Sequence, residues 1–541
     1  MDLQEKIAAI FPKEFEVPRH FRLDAPQVQR EYLIDGELRT WDGPVQEAYS
    51  PVCQYSDGSL SRQFIGSFPL LDEAEAMAAL DAAVRAYDHG RGKWPTMTIA
   101  ERIAAVQQFA FRMKEKRNAV VKLLMWEIGK TQRDSEKEFD RTLEYIAETI
   151  SALKELDRAS SRFVIEQGII GQIRRSPLGV ALCMGPFNYP LNETFTTLIP
   201  ALIMGNTTVL KPPRHGILLF RPLLEAFRDS FPPGVVNTIY GAGRTVIPPL
   251  MASGKVDVLA FIGSSKAADA LQKGHPKLHR LRSVLGLEAK NPAIVLPDAD
   301  VNQAVEECIA GSLTFNGQRC TAIKIIFVHE RIADQFVSTF SSALETLGIG
   351  MPWQPGAMIT PLPEVEKPQY LAELVKDAEE NGARVMNRSG GSINGTFFFP
   401  ALLYPVNEAM RVYSEEQFGP VVPIVPFSDI ETPIRHMVES CYGQQVSIFG
   451  RDPDRLADLI DPLVNQVCRV NINSQCQRGP DIFPFTGRKD SAVGTLSVSD
   501  ALRSFSIRTL VAAKDMELNK QLISTIIRER KSNFLSTDFI F

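Results

Sequence analysis

The sequence predicts an α/β protein with two parallel-sheet units, and three observations point there. Four short β-rich runs follow one another after Pro177: GVALCMG at 179–185, TTVLKP at 207–212, VNTIYG at 236–241 and VLAFIG at 258–263. A second series comprises AIVL at 293–296, KIIFVH at 324–329, VPIVPF at 422–427 and VSIFG at 446–450. In the first series a Gly, Pro or Asn turn and then a helical stretch follow each run. Strand–turn–helix repetition of this kind is how a parallel sheet comes to carry helices on both faces.

The flanking elements follow in order. Residues 1–50 hold few strong patterns and read as a lead-in. From Asp72 the spacing turns helical, with Met77, Leu80, Val84 and Tyr87 on one face. Thr98 and Glu101 form a capping box, and Ile103, Val106, Ala110 and Met113 make the stripe behind it. A third helix runs to Ile128 and stops at Gly129. Its successor carries Glu136 to Ile146. The tail from Lys514 to Phe541 is charged and then apolar, an appendage suited to docking on a neighbouring subunit. No short-period repeat or low-complexity segment is present.

Composition excludes several classes. A chain of 541 residues, 44% hydrophobic and 23% charged, has material for two to four domains with large cores. The formal net charge of -5, from 59 basic and 64 acidic residues, leaves no basic excess for nucleic acid. No apolar run reaches the ~18 residues a membrane span needs, and the N-terminus has no signal-peptide core. The seven cysteines are scattered, without a CxxC pair. Reduced thiols and a cytoplasmic location are expected, with each cysteine except Cys320 serving as a small buried apolar group. No metal site is expected.

Six segments carry the candidate chemistry: GPFNYP (185–190), TTVLKPPR (207–214), FIGSS (261–265), LGLEAKNP (285–292), FNGQRCTA (315–322) and EEQFGPV (415–421). In this order and spacing the set resembles the aldehyde dehydrogenase superfamily over roughly residues 50–510. The resemblance implies a Rossmann-like cofactor domain from 50–155 and 178–286, and an α/β catalytic domain from 287–480. A small β oligomerisation arm from 156–177 and 481–513, with extensions at 1–49 and 514–541, completes the layout. It also implies a homodimer or homotetramer.

Each motif then has a chemical reason. Aldehyde oxidation needs a nucleophile that forms a tetrahedral adduct from which hydride can leave. Cys320 matches the family nucleophile, and Asn188 matches the amide that holds the adduct oxygen, with the Cys320 backbone N–H as second donor. Strand ends are where dinucleotides bind in open parallel sheets. There Lys211 matches the residue on the adenosine ribose, and Gly263 and Ser264 match the turn by the pyrophosphate. Pro186 and Phe187 flank the same loop, Gly241 and Gly243 permit close backbone approach, and Glu416 and Phe418 match the contacts to the nicotinamide ribose and ring. Arg214 stands where NAD-preferring relatives commonly carry an acid. It favours NADP, with NAD as the alternative, because a guanidinium can pair with a 2′-phosphate.

Arg141, Tyr189, Arg319 and Arg478 resemble the phosphate-binding set of the NADP-dependent, non-phosphorylating glyceraldehyde-3-phosphate dehydrogenase branch. KPP (211–213), GQRC (317–320) and RGPD–FPF (478–485) belong to the same likeness. It implies glyceraldehyde 3-phosphate as substrate and 3-phosphoglycerate as product. A semialdehyde oxidiser, a coenzyme A-acylating member and a weakly catalytic NADP-binding relative are the alternatives.

One position departs from the pattern. The family's general-base glutamate stands four residues before the lysine that matches Lys290, and here that residue is Gly286. Glu288 lies two residues later, about 6–7 Å along an extended segment. Three readings stay open: a bulge returns Glu288 to the site, Glu416 activates the water, or deacylation is slow or uses another acceptor.

Overall fold

The computed structural model describes residues 2–56 and 58–540, so Phe541, the last residue of the tail read above, lies outside them. The first sheet has six strands. Five are parallel, in the spatial order Val236–Thr238, Thr207–Lys211, Val180–Met184, Val258–Ile262 and Arg282–Gly286. Ala492–Val493 closes the edge antiparallel. The chain moves outward from the Val180 strand, then returns to lay Val258–Ile262 on its other side. The strand order therefore reverses between these two, which opens a crevice at their C-terminal ends.

The second sheet has seven strands, ordered Arg384–Val385, Ala401–Tyr404, Val421–Phe427, Ile323–His329, Asn291–Val295, Gln445–Phe449 and Arg469–Ile472. All are parallel except the first. Every residue of Val180–Met184, Asn291–Val295 and Gln445–Phe449 is buried. Helices cover both faces, which is why these strands read as continuous apolar runs and not as alternating ones.

The helices ahead of the first sheet form largely where expected, with two corrections to their faces. Asp72 caps Glu73–Tyr87 by accepting from the Glu75 N–H, but the buried face is Ala76, Ala79, Leu80, Ala82 and Ala83. Small side chains let this helix lie close to the sheet, whereas Met77, Val84 and Tyr87 are only part-buried. In Ile99–Lys114 the Thr98–Glu101 box is reciprocal, and Phe109, not Ala110, completes the stripe by stacking on Phe227 at 4.4 Å. Arg117–Ile128 ends at Gly129 (φ 70°), and Gln132–Ser160 runs well beyond the expected Glu136–Ile146.

The remaining segments differ more. Residues 1–50 are not a featureless lead-in. Glu31–Ile34 and Glu37–Thr40 form a hairpin that hydrogen-bonds to Thr238 and Asn237, and Val45–Ser56 pairs with Ser59–Pro69. Three antiparallel strands, Val164–Glu166, Ile169–Pro177 and Ser506–Lys514, make a separate sheet. Residues 156–160 stay in the long helix, and 481–505 pack on the body. The tail docks on its own chain: Gln172 Nε2 donates to the Ser536 carbonyl at 2.6 Å, Asn533 Nδ2 to that of Thr96 at 2.8 Å, and Leu535 is buried. Cys53, Cys183, Cys308 and Cys476 are buried, but Cys468 is only half-buried and Cys441 is exposed.

Gly129 offers a test of how tightly this frame is set. A Cβ there would lie 2.4 Å from the Pro361 carbonyl oxygen, whereas at Gly168 (φ 75°) nothing lies within 4 Å. Both Gly→Ala changes carry the left-handed backbone cost of about 1–2 kcal/mol. Only G129A adds the clash, so it is expected to melt several degrees below G168A; equal melting temperatures would contradict the packing.

Candidate active site

The crevice at the strand ends opens into a cavity of about 960 Å³ between the two sheets. Its lining includes Cys320, Asn188, Glu288, Pro186, Phe187, Arg214, Gly263, Ser264, Glu416, Phe418, Arg141, Tyr189, Arg319 and Arg478. Lys211, Gly241 and Gly243 are outside that lining. Lys211 donates to the Pro212 carbonyl at 2.9 Å, and Gly243 faces its side chain, with a Cβ 3.8 Å from Lys211 Cε. Gly241 (φ 117°) is required by its backbone and by Leu71, whose N and O would lie 3.2 and 3.1 Å from a Cβ. Gly263 makes room for the Phe261 ring, 2.3 Å from where its Cβ would stand.

Cys320 sits in the connection between helix Val301–Leu313 and strand Ile323–His329. The connection is tightly wound: Phe315, Asn316 and Gly317 have φ of 50°, 54° and 69°. Two donors fix the Cys320 carbonyl, Asn291 Nδ2 at 2.7 Å and Lys324 Nζ at 3.0 Å. The Asn188 carboxamide reaches across from the loop after Val180–Met184 and donates to the Gln318 carbonyl at 2.8 Å. The nucleophile and amide candidates therefore come from different sheets and meet in one place. Burial pushes the Cys320 thiol up, Glu193 adds to this, and Lys324 and Arg478 oppose it.

Two carboxylates that line the same cavity are already engaged. Glu288 Oε2 accepts from the Ser265 N–H at 2.8 Å, at the start of helix Ser265–Lys273. Glu416 Oε1 is 2.6 Å from Lys324 Nζ and accepts from the Ala289 N–H at 3.2 Å. Gly286 ends its strand in regular register with Ile262, and two residues on, the Glu288 carboxylate is bonded to the Ser265 amide. The nearest atoms to a Cβ at Gly286 would be those of Ile262 and Leu496, at 3.4–3.7 Å.

At the other end the arginines form a network. Arg141 is bidentate to Asp481, at 2.8 and 2.7 Å, and Arg478 bonds Asp481 at 2.9 Å and Glu193 as well. Arg319 donates to the Ala310 and Gly311 carbonyls, and its buried Nε has no hydrogen-bond partner among the described residues. Arg141 and Arg478 thus pair with Asp481 and Glu193, while Arg319 is held by backbone carbonyls. Among the described residues no cluster of His, Cys, Asp and Glu has the make-up of a metal site, and no helix is long and apolar enough to cross a membrane.

Sequence reasoning missed several residues. His215 lines the cavity, its ring 5.8 Å from that of Phe187, and burial together with Arg214 pushes it down to about 4. Glu127 accepts from the Ile217 and Leu218 N–H groups and so anchors the chain just after KPPR; burial pushes it up to about 8. Lys324 escaped notice, as did the buried pair of Lys130 and Glu138. The one signal available was their closeness in sequence to helix stops and motif residues.

The family model for the aldehyde dehydrogenase family matches residues 55–511, so the chain belongs to this family. It is similar to the NADP-dependent glyceraldehyde-3-phosphate dehydrogenase of Streptococcus equinus, 33% identical over 454 residues, covering 82% of this chain and 91% of that one. A lactaldehyde dehydrogenase of Methanocaldococcus jannaschii is 29% identical, over 84% of this chain and 96% of that one. The crystal structure of the Bacillus halodurans C-125 NADP-dependent glyceraldehyde-3-phosphate dehydrogenase complexed with NADP superposes with a TM-score of 0.82. It is 31% identical and covers 91% of this chain and 100% of that one. Aldehyde oxidation with a nicotinamide cofactor is the chemistry that membership carries.

The charges around Cys320 yield a direct expectation. Glu193→Gln removes the carboxylate that raises the thiol and releases Arg478, which lowers it. Alkylation of Cys320 by iodoacetamide at pH 8 should then accelerate about three- to tenfold, because a larger fraction of the thiol is ionised. An unchanged or slower rate would show that Glu193 does not act on the sulfur.

Proposed function

We propose that this protein oxidises D-glyceraldehyde 3-phosphate to 3-phosphoglycerate with NADP⁺, through a thioester on Cys320. The observation that carries the reading is the convergence, in one cavity, of Cys320, Asn188 and three arginines. The Cys320 sulfur attacks the aldehyde carbon, and the Asn188 amide stabilises the oxygen that becomes negative. Arg141, Arg319 and Arg478, with Tyr189, hold the phosphate end and so fix the carbonyl over the sulfur.

The residues around the crevice fit NADP. The Ser265 amide already takes an anionic oxygen, Arg214 is an exposed cation, and the Phe187 and Phe418 rings stand 5.9 Å apart on the cavity wall. Ser264 and Ser265 would take the diphosphate, Lys211 and Arg214 the phosphorylated ribose, and Glu416 with Phe418 the nicotinamide end. The cofactor, when bound, supplies the hydride acceptor. Likeness to relatives named as NADP-dependent glyceraldehyde-3-phosphate dehydrogenases supports the same substrate and cofactor.

A second reading concerns the acyl acceptor. With Gly286 in place of a base, Glu288 turned to Ser265 and Glu416 paired with Lys324, a thiol acceptor such as coenzyme A is the alternative to water. Single-turnover formation of NADPH from D-glyceraldehyde 3-phosphate separates these. A burst followed by sustained turnover supports hydrolysis. A burst that stalls until coenzyme A is added supports acyl transfer, and no burst with NADP still bound removes the phosphorylated aldehyde.

Cofactor binding should also depend on pH through Lys211, which burial pushes down to about 8. An anionic ligand favours the charged lysine, so affinity is full below pH 8 and falls above it by up to about tenfold per pH unit. Titration of NADP between pH 7 and 9.5 checks this. Lys211→Met is expected to flatten the profile at the weaker level, and a profile unaffected by that change would contradict it.

A further inference from the structure

Lys130 lies immediately after the helix stop at Gly129, in a place where a solvated lysine would be unremarkable. Instead it is completely buried. Its ammonium pairs with Glu138 and donates to the Asn188 carbonyl at 2.9 Å. It also stands 3.6 Å from the centre of the Tyr189 ring and 4.4 Å from that of Phe315. These two rings meet edge to face at 6.0 Å. Asn188 and Tyr189 belong to the loop that leaves the first sheet. Phe315 belongs to the wound connection that carries Cys320.

Glu138 completes the arrangement. While one of its oxygens takes the Lys130 ammonium, the other accepts from the Leu191 and Asn192 N–H groups at 3.0 and 3.1 Å. These amides open helix Asn192–Ile203, so the carboxylate caps that helix and sets where the loop before it ends. The pair therefore holds Asn188 from both sides: its own carbonyl through Lys130, and the chain beyond it through Glu138.

A buried ammonium is costly unless fully partnered, and three distinct partner types serve this one. A carboxylate neutralises it, a carbonyl accepts from it, and two aromatic rings lie within cation–π range of it. Those rings come from both loops of the site. A methionine would fill the space but would hold neither the Asn188 carbonyl nor the register between the rings.

We propose that Lys130, held by Glu138, is a positioning residue for aldehyde oxidation that fixes the Asn188 amide relative to Cys320. The inference rests on the reading of Cys320 as nucleophile and Asn188 as donor to the adduct oxygen. Lys130 touches neither substrate nor sulfur in this role. It acts through the loop that carries Asn188, so its removal slows the step in which the adduct forms and hydride leaves, and leaves the cofactor crevice as it was.

The test uses the full chain with the variants Lys130→Met, Lys130→Arg and Glu138→Gln, and Cys320→Ser and Asn188→Ala as controls. NADP binding is titrated by fluorescence, and NADPH formation is followed in a single turnover with protio and 1-deutero aldehyde. K130M is expected to bind NADP as the parent does and to form NADPH about 10²-fold more slowly, the size of effect an ångström-scale misplacement produces. An isotope effect should be visible in the burst, with little change in the KM for the aldehyde. K130R, which keeps the charge, should recover most of the rate, and E138Q should fall between.

A K130M burst within threefold of the parent overturns the proposal. So does loss of NADP binding in parallel with activity in K130M and E138Q, which would mark the pair as a fold-wide support. If K130M does not fold, K130R and E138Q decide alone: a slowed burst with intact NADP binding in E138Q and a faster one in K130R supports the proposal, and parental rates in both reject it. Sustained turnover by C320S or N188A would instead refute the underlying assignment, whatever Lys130 does.

Discussion

The hydrogen bond from the Asn188 carboxamide to the Gln318 carbonyl is the joint on which the site depends. It ties a loop from one parallel sheet to a loop from another, and each is useless to the proposed chemistry without its partner. The sheets present these loops differently: the first releases the Asn188 loop from the C-terminal end of Val180–Met184, whereas the second receives the Cys320 connection at the start of Ile323–His329. They do not by themselves hold two loops at hydrogen-bond range. That task falls to buried charge around the joint: Lys130 with Glu138 beneath Asn188, and Lys324 with Glu416 beside Cys320.

Buried ion pairs are poor contributors to net stability, since desolvation cancels much of their attraction. Their value here is geometric. Removing one partner strands the other at a cost of roughly 3–5 kcal/mol, so the arrangement has few neighbouring alternatives of similar energy. Arg141, Asp481, Arg478 and Glu193 extend the same logic to the far end of the cavity. There, the two guanidinium groups and the two carboxylates balance, and their pairing keeps the guanidinium groups ordered. An anion entering that region meets oriented donors and only modest attraction, a combination that favours placement over tight binding.

How much of this the sequence showed depends on the range of the signal. Strands such as Val180–Met184 and Gln445–Phe449 were legible because burial on both faces writes an apolar run into five consecutive residues. The helix stop at Gly129 and the Thr98–Glu101 box are local chemistry and were equally plain. Val45–Ser56 was not, because irregular register near Ala48 and Tyr49 breaks the alternation that marks a strand. In the site, the motif residues lie together in one cavity, apart from Lys211, Gly241 and Gly243. Lys130, Glu138, Glu127 and Lys324 went unread because a charged side chain is solvated by default. Only the three-dimensional meeting with a partner from elsewhere in the chain reverses that expectation.

Glu288 shows the same limit from the opposite direction. Its position in the sequence, two residues after the place of the missing base, left its destination open. The structure puts Gly286 at the end of a regular strand and lets the chain beyond it turn the Glu288 carboxylate onto the Ser265 N–H. A carboxylate is well placed there, since the amides at a helix start carry partial positive charge. A diphosphate seated on the same amide would have to displace it, because one N–H has one short acceptor. The location of Glu288 and the occupation of the crevice are thus linked by mass action. Spacing along the chain alone therefore does not say where the Glu288 carboxylate stands; its contact with the Ser265 amide does.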